Sequence, residues 1–289
     1  MQQRLTDYFE LAKPRIIVLL LITTAAAMIM AARGIPPLAL TFWTLLGGAL
    51  SAGSAGALNC VYDADIDRLM RRTMFRPIPQ GRISLRDGTI YAVVLGVTAF
   101  ALLYFLVNPL AAWLSLAGNA YYVVVYTMWL KRLTPLNIVI GGAAGSVPPL
   151  VGWAAVTHQI GGPALGLFAL IFLWTPPHFW SLALVAETDY DKAHIPMMPN
   201  VAGEERTKRE IIYYTILLVV ASLALYPLHI MGAAYTAAAA VLGGIFLYDT
   251  IRTWKDQGTT WARRTFRFSL LYLALICVMM VVDRIITHS

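Results

Sequence analysis

Charge is scarce in this chain. Only 13 % of its 289 residues are Asp, Glu, Lys or Arg, against about a quarter in an ordinary soluble domain. That deficit argues against water as the main solvent, and no soluble stretch of any size separates the apolar runs. Cysteine is nearly missing as well. Cys60 and Cys277 are the only two, each in or beside an apolar run, which excludes a disulfide framework and leaves them as reduced structural thiols. The opening MQQRLTDYFELAKPR is polar and contains acids, so a cleavable leader is not expected there, and the first apolar run is long enough to span a bilayer.

What the chain has is hydrocarbon. Hydrophobic residues make up 59 % of it, and runs of about 20 recur along its length, as in a polytopic membrane protein. The expected fold is all-α and a single domain over 1–289. Nine transmembrane helices are expected, over 16–32, 38–62, 88–107, 110–130, 137–156, 164–186, 210–230, 232–250 and 265–284. Sorting cations by loop parity puts all but Arg33 and Arg284 of the 22 Lys and Arg on the N-terminal side. The positive-inside bias makes that side cytoplasmic, with the C-terminus opposite. It also accounts for the net charge of +7 without nucleic acid. Of the 15 acids only Asp283 falls on the far side, although the bias does not require this of acids. One face is therefore chemically rich and the other nearly blank, which favours a site opening to one side.

Two acidic stretches end apolar spans on that face. The first is NCVYDADID, where Asn59, Asp63 and Asp67 are spaced i, i+4, i+8 and share a helix face while Asp65 points away. Acids near hydrocarbon are costly unless they bind something. Carboxylates with an amide oxygen suit Mg²⁺, which completes its shell with waters and substrate phosphates; a solvated helix end is the plainer reading. The segment RLMRRTMFRPIPQGRIS follows, with Arg72 and Arg76 among its five arginines after Asp67 and its stiffening Pro77, Pro79 and Gly81. Arginine forks bind phosphate oxygens bidentately, although any one of them could serve only topology or lipid headgroups. The second stretch, ETDYDKAHIPMMP, ends the sixth expected span. There Glu187 and Asp191 share a face if the helix persists, and the prolines of HIPMMP stop it.

These residues resemble the UbiA superfamily of intramembrane prenyltransferases. NCVYDADID is similar to its Asn-x-x-x-Asp-x-x-x-Asp motif. KPRIIVLLLITT, RTMFRPIPQGRIS, YTMWLKRLTPLNIVIGGAAGSVPPLVGWAA, WTPPHFWSLAL and DYDKAHIPMMP resemble, more narrowly, its haem-farnesylating branch. The resemblance runs from Lys13 to Pro199; the last three spans carry no diagnostic block. It implies a nine-helix UbiA-type bundle in a bacterial inner membrane, farnesyl diphosphate and haem b as substrates, and haem O and diphosphate as products. It moves the second-motif acid to Asp189, ahead of Asp191. Asn59, Asp63, Asp67 and Asp189 become the catalytic set, and with Asp191 the Mg²⁺ set. Lys13, Arg72, Arg76, Lys131 and Arg132 become diphosphate contacts. Tyr126 joins them, or is an interfacial anchor. His194 departs from the family pattern, which commonly has glycine there.

His178 lies within the sixth span. A histidine inside a span is a functional candidate and imidazole a common haem-iron ligand, so it is either a haem contact or a bonded core residue. Pro176 and Pro177 are expected to open the backbone beside it. His158, His194, His229 and His288 read as loop or interface residues. No general base with a tuned pKa is evident, and ionisation of an allylic diphosphate needs none. The rival readings are a prenyltransferase acting on quinone or chlorophyll precursors and a transporter. The blank far face offers a transporter no second gate. A haem A synthase or a terminal oxidase assembly is a candidate partner.

Overall fold

A computed structural model describes residues 2–286. Among them there is no strand. An exposed helix α1 (Gln2–Leu11) precedes α2 (Pro14–Ala32) and α3 (Leu38–Tyr62), and a single turn α4 (Ala64–Asp67) follows. After the arginine-rich loop come α5 (Leu85–Leu106) and α6 (Pro109–Ala120), which runs without interruption into a π-helix over Tyr121–Trp129. The next crossing is composite: α7 (Asn137–Gly141), a 3₁₀ stretch (Gly142–Ser146) and α8 (Pro148–Thr157). Then come α9 (Gly162–Val185), two short helices α10 (Glu187–Lys192) and α11 (Met198–Ala202), and α12 (Glu204–Ala224). The chain ends with α13 (Ala233–Lys255) and α14 (Thr260–Ile286).

Seven of these segments are long and apolar enough to cross a membrane: α2, α3, α5, the composite 137–157, α9, α13 and α14. The other two expected spans are helical but differ in kind. The 110–130 stretch changes from α to π partway. The 210–230 stretch lies in α12, which begins with the charged turns Glu204–Glu210 and ends at Ala224 rather than 230. His288 lies outside the described residues. Local chemistry sets several ends. Ser84 Oγ accepts from the Asp87 N–H at 3.0 Å, and Asn108 Oδ1 accepts from Ala111 at 2.9 Å with Pro109 at the first turn. Both are N-caps. Asp283, the lone far-side acid, is 1 % exposed. Its carboxylate accepts from the N–H groups of Gly232 (2.5 Å) and Tyr235 (3.0 Å) at the start of α13, where the helix dipole favours an anion.

The helices close a ring. α3 packs on α5, α2 on α8, α9 on α12 and α14, and α13 between α12 and α14, which returns to α2. In lipid the drive is close packing rather than water exclusion, so small residues matter. A Cβ on Gly152 would lie 2.3 Å from the Thr24 carbonyl oxygen; glycine is what lets α8 approach α2. One large core joins α2, α8, α9 and α12–α14 around Trp174, Tyr235, Phe246 and Tyr272. A second core, with Ile66, Trp180, Tyr190, Met197 and Ile211, lies beneath both acidic motifs.

Contrary to the sequence expectation, Pro176 and Pro177 do not open the backbone, and α9 passes straight through them. Each removes one backbone donor; packing against α12 and α14 keeps the helix, and Thr175 Oγ1 donates to the Ile171 carbonyl at 2.7 Å.

Candidate active site

Asn59 is in the last turn of α3, Asp63 caps it and Asp67 ends α4. The Asp63 N–H bonds the Asn59 carbonyl (2.9 Å) and the Asp67 N–H bonds that of Asp63 (2.8 Å). The i, i+4, i+8 face therefore persists across the break. All three are buried, at 4 %, 0 % and 2 % exposure. A buried carboxylate must be compensated, and here each has its own cation. Lys131 Nζ donates to Asp63 Oδ2. Arg76 pairs with Asp67 at 2.7 Å. Lys13 Nζ donates to Asn59 Oδ1, while Asn59 Nδ2 donates to Asp63 Oδ2 (2.8 Å) and to Thr127 Oγ1 (3.1 Å). Asp65 points away, as expected. It takes the Arg132 fork at 2.7 and 2.8 Å, and that hydrogen bond holds its carboxyl below the usual range. Burial pushes the Lys13 ammonium below the ordinary lysine value, while Cys60, Asp63 and Asp67 pull it up.

Lys131 reaches Asp63 because the chain before it is a π-helix, which places Thr127 against Asn59. Tyr126 is on the same stretch, its ring 5.3 Å from that of Tyr122. A Cβ on Gly141 would lie 2.2 Å from a Tyr126 ring carbon, so a bare glycine seats that ring. A π-segment continuing an α-helix is a frequent mark of a functional site.

The second motif joins the first through an unexpected residue. Tyr190 is buried at 7 % exposure, and its hydroxyl accepts from Arg72 Nη2 at 3.1 Å. Glu187 and Asp189 are half-buried and Asp191 is exposed. Among the described residues no three His, Cys, Asp or Glu side chains come together as a metal-holding group. The expected five-residue set is thus not assembled. Each first-motif carboxylate is neutralised by its own cation, and among the described residues the second-motif carboxylates form no ion pair with that cluster. The first motif alone still fits a hard cation. Its donors are oxygens, and the buried Asp63 Oδ1 has no hydrogen-bond partner; Arg132 Nη2 approaches it at 3.8 Å.

His178 stands apart, on α9 facing α14. Its ring is stacked between Trp174 (4.2 Å) and Phe266 (4.7 Å), and its Nδ1 is 2.6 Å from Ser269 Oγ. Ser269 Oγ donates to the Phe266 carbonyl at 2.7 Å. It therefore accepts from Nδ1–H, and the lone pair is left on Nε2. Thr127, Tyr190 and Ser269 escaped the sequence reading. Only Thr127 carried a signal, four residues before Lys131 and so on one helix side with it.

A model of the UbiA prenyltransferase family matches residues 20–276. The chain is 53 % identical over 286 residues to a protoheme IX farnesyltransferase of Synechocystis sp., covering 98 % of this chain and 90 % of that one. It is 52 % identical over 283 residues to another of Gloeobacter violaceus, covering 97 % and 92 %. Among solved structures, a digeranylgeranylglyceryl phosphate synthase superposes with a TM-score of 0.80 at 19 % identity, covering 98 % of this chain and 99 % of that one. A UbiA homologue from Archaeoglobus fulgidus bound to DMAPP and Mg²⁺ gives 0.69 at 17 %, covering 95 % and 99 %. At those identities the structural likeness speaks for the fold alone.

Proposed function

The chain belongs to the UbiA prenyltransferase family, and from that premise we propose how its site makes haem O. It is a prenyltransferase, and relatives about half identical over nearly its full length are protoheme IX farnesyltransferases. In the proposed reaction a vinyl carbon of haem b attacks C1 of farnesyl diphosphate as the allylic C–O bond breaks. Diphosphate leaves with the bonding electrons. The carbocation left on the haem side chain takes up water and loses a proton, giving the hydroxyl of haem O.

The observation that carries this reading is the buried Asn59–Asp63–Asp67 face ringed by Lys13, Arg76, Lys131 and Arg132. The departing diphosphate gains negative charge, and prearranged cations lower the barrier most where that charge develops. Arg72, held by Tyr190, extends the ring toward the second motif. Asn59, Asp63 and Asp67 would hold Mg²⁺, with Asp189 and Asp191 approaching from α10; that a family member binds DMAPP with Mg²⁺ supports this. Bound there, the ion supplies charge neutralisation and orientation of the diphosphate. Tyr126 borders the same cations. His178 suits a haem contact because Ser269 leaves Nε2 free to bind iron.

The charge asymmetry supports nine crossings in one domain. It also supports a bacterial inner membrane with the N-terminus and site cytoplasmic and the C-terminus outside. Haem O is lipophilic, so a haem A synthase or oxidase assembly taking it from the bilayer is the fitting partner. The test is expression in cells lacking their own haem O synthase, followed by chromatography of extracted haem. Haem O is expected. Haem b alone, with the protein intact in the membrane, overturns the proposal.

A further inference from the structure

A groove of about 720 Å³ lies between α13 and the start of α14, lined by none of the residues of the site above. Arg263, Arg264 and Arg267 line it on α14, and Phe268 and Leu271 continue it. Their spacing makes one stripe, on the opposite side of α14 from Phe266 and Ser269, which face His178. From Arg263 to Leu271 the stripe runs about 12 Å along the helix. It starts cationic at the membrane edge and turns apolar toward the bilayer.

Arginines at such an edge usually need only their charge, but one of these is built in. Asp249 of α13 is 0 % exposed. Its two oxygens sit 3.0 and 3.2 Å from Arg264 Nε, and its Oδ1 has no geometric hydrogen-bond partner. Thr265 Oγ1 bonds the Asp249 carbonyl at 3.2 Å and pairs with Thr253 at 2.8 Å, locking the two helices beneath it. The buried carboxylate thus grips Arg264 by Nε and leaves its two terminal nitrogens for another ligand. Trp261 supports the guanidinium from the side at 4.7 Å. Among the described residues neither Arg263 nor Arg267 forms an ion pair. A buried anion is costly and adds nothing to topology. What it provides is an oriented fork, the geometry that recognises a phosphate.

We infer that this groove binds the phosphate of an anionic phospholipid, with acyl chains lying on Phe268 and Leu271. The change from charge to hydrocarbon along one stripe favours a lipid over free phosphate, because a soluble anion has no use for the apolar half. The test uses the full chain in detergent micelles and native mass spectrometry, with phosphatidylglycerol or phosphatidylcholine added. Preferential retention of phosphatidylglycerol is expected. Retention should fall about fivefold for each arginine removed in R263Q/R267Q. Asp249→Asn separates a built site from bulk charge. It makes the groove more positive yet frees Arg264, so retention should drop; a rise would show that charge alone attracts the lipid and overturn the inference. Undiminished retention by R263Q/R267Q, or displacement of the lipid by inorganic phosphate, would overturn it as well.

Discussion

Asp63 and Asp65 are two positions apart and should behave oppositely. Asp63 is 0 % exposed and paired with Lys131, so Asp63→Ala strands a cation and removes a ligand from the proposed Mg²⁺ set. Haem O formation should fall at least a hundredfold, the scale of losing one electrostatic stabiliser of a transition state. Near-parental turnover would remove Asp63 from the mechanism. Asp65 is exposed and tied only to Arg132. Asp65→Ala should cost under about 1 kcal/mol of stability and leave turnover close to that of the parent. Arg76→Lys should raise the KM for farnesyl diphosphate more than that for haem, because the fork is lost; equal shifts would mean that Arg76 acts only through Asp67. The Asn59–Asp63–Asp67 face was legible because its spacing is local in sequence and the backbone hydrogen bonds carry it across the break between α3 and α4. Tyr190 and Ser269 were not, because what makes them matter is a partner 118 or 91 positions away, which no local pattern encodes.

Among the elements, apolar helices could be read because hydrophobic length survives any change of helix type, and for the same reason the switch from α to π between α6 and Trp129 could not. Gly141 gives access to that switch. Gly141→Ala would drive a methyl into the Tyr126 ring, displacing the segment that presents Thr127 and Lys131. Turnover should drop more than insertion into the membrane, measured as haem O formed per unit of folded protein. The loop after α10 makes a second case. His194 departs from the glycine common in the family, and its φ of 51° shows what glycine is suited to do there. A β-branched residue fits that conformation poorly, so His194→Val should lose about 1–2 kcal/mol, seen as a lower melting temperature. His194→Gly should change it little, since relief of strain offsets added freedom in the unfolded chain. The continuity of α9 through two prolines was not legible, because its support comes from neighbouring helices.

For the whole molecule, sidedness can be tested with an impermeant maleimide on intact cells. Cys60 and Cys277 are each 1 % exposed and should stay silent. Ile35→Cys, at an 89 % exposed position in the turn after α2, should label from outside. Thr188→Cys, exposed in the second motif, should label only after permeabilisation. The reverse pattern would invert the proposed orientation. Loop parity alone carried this reading, since it needs only a count of charges and no contact. The same lopsided charge has an electrical consequence. On the proposed orientation diphosphate would arrive and depart on the face that holds the cations, and the far face would keep only Arg33, Arg284 and an Asp283 already bound to α13. No ion would then cross the membrane field during turnover, so a term worth about 2.3 kcal/mol per charge per 100 mV would drop out. Discharging the cell's voltage with an ionophore should leave haem O production running at its former rate, which sets this catalyst apart from any carrier built on a similar bundle.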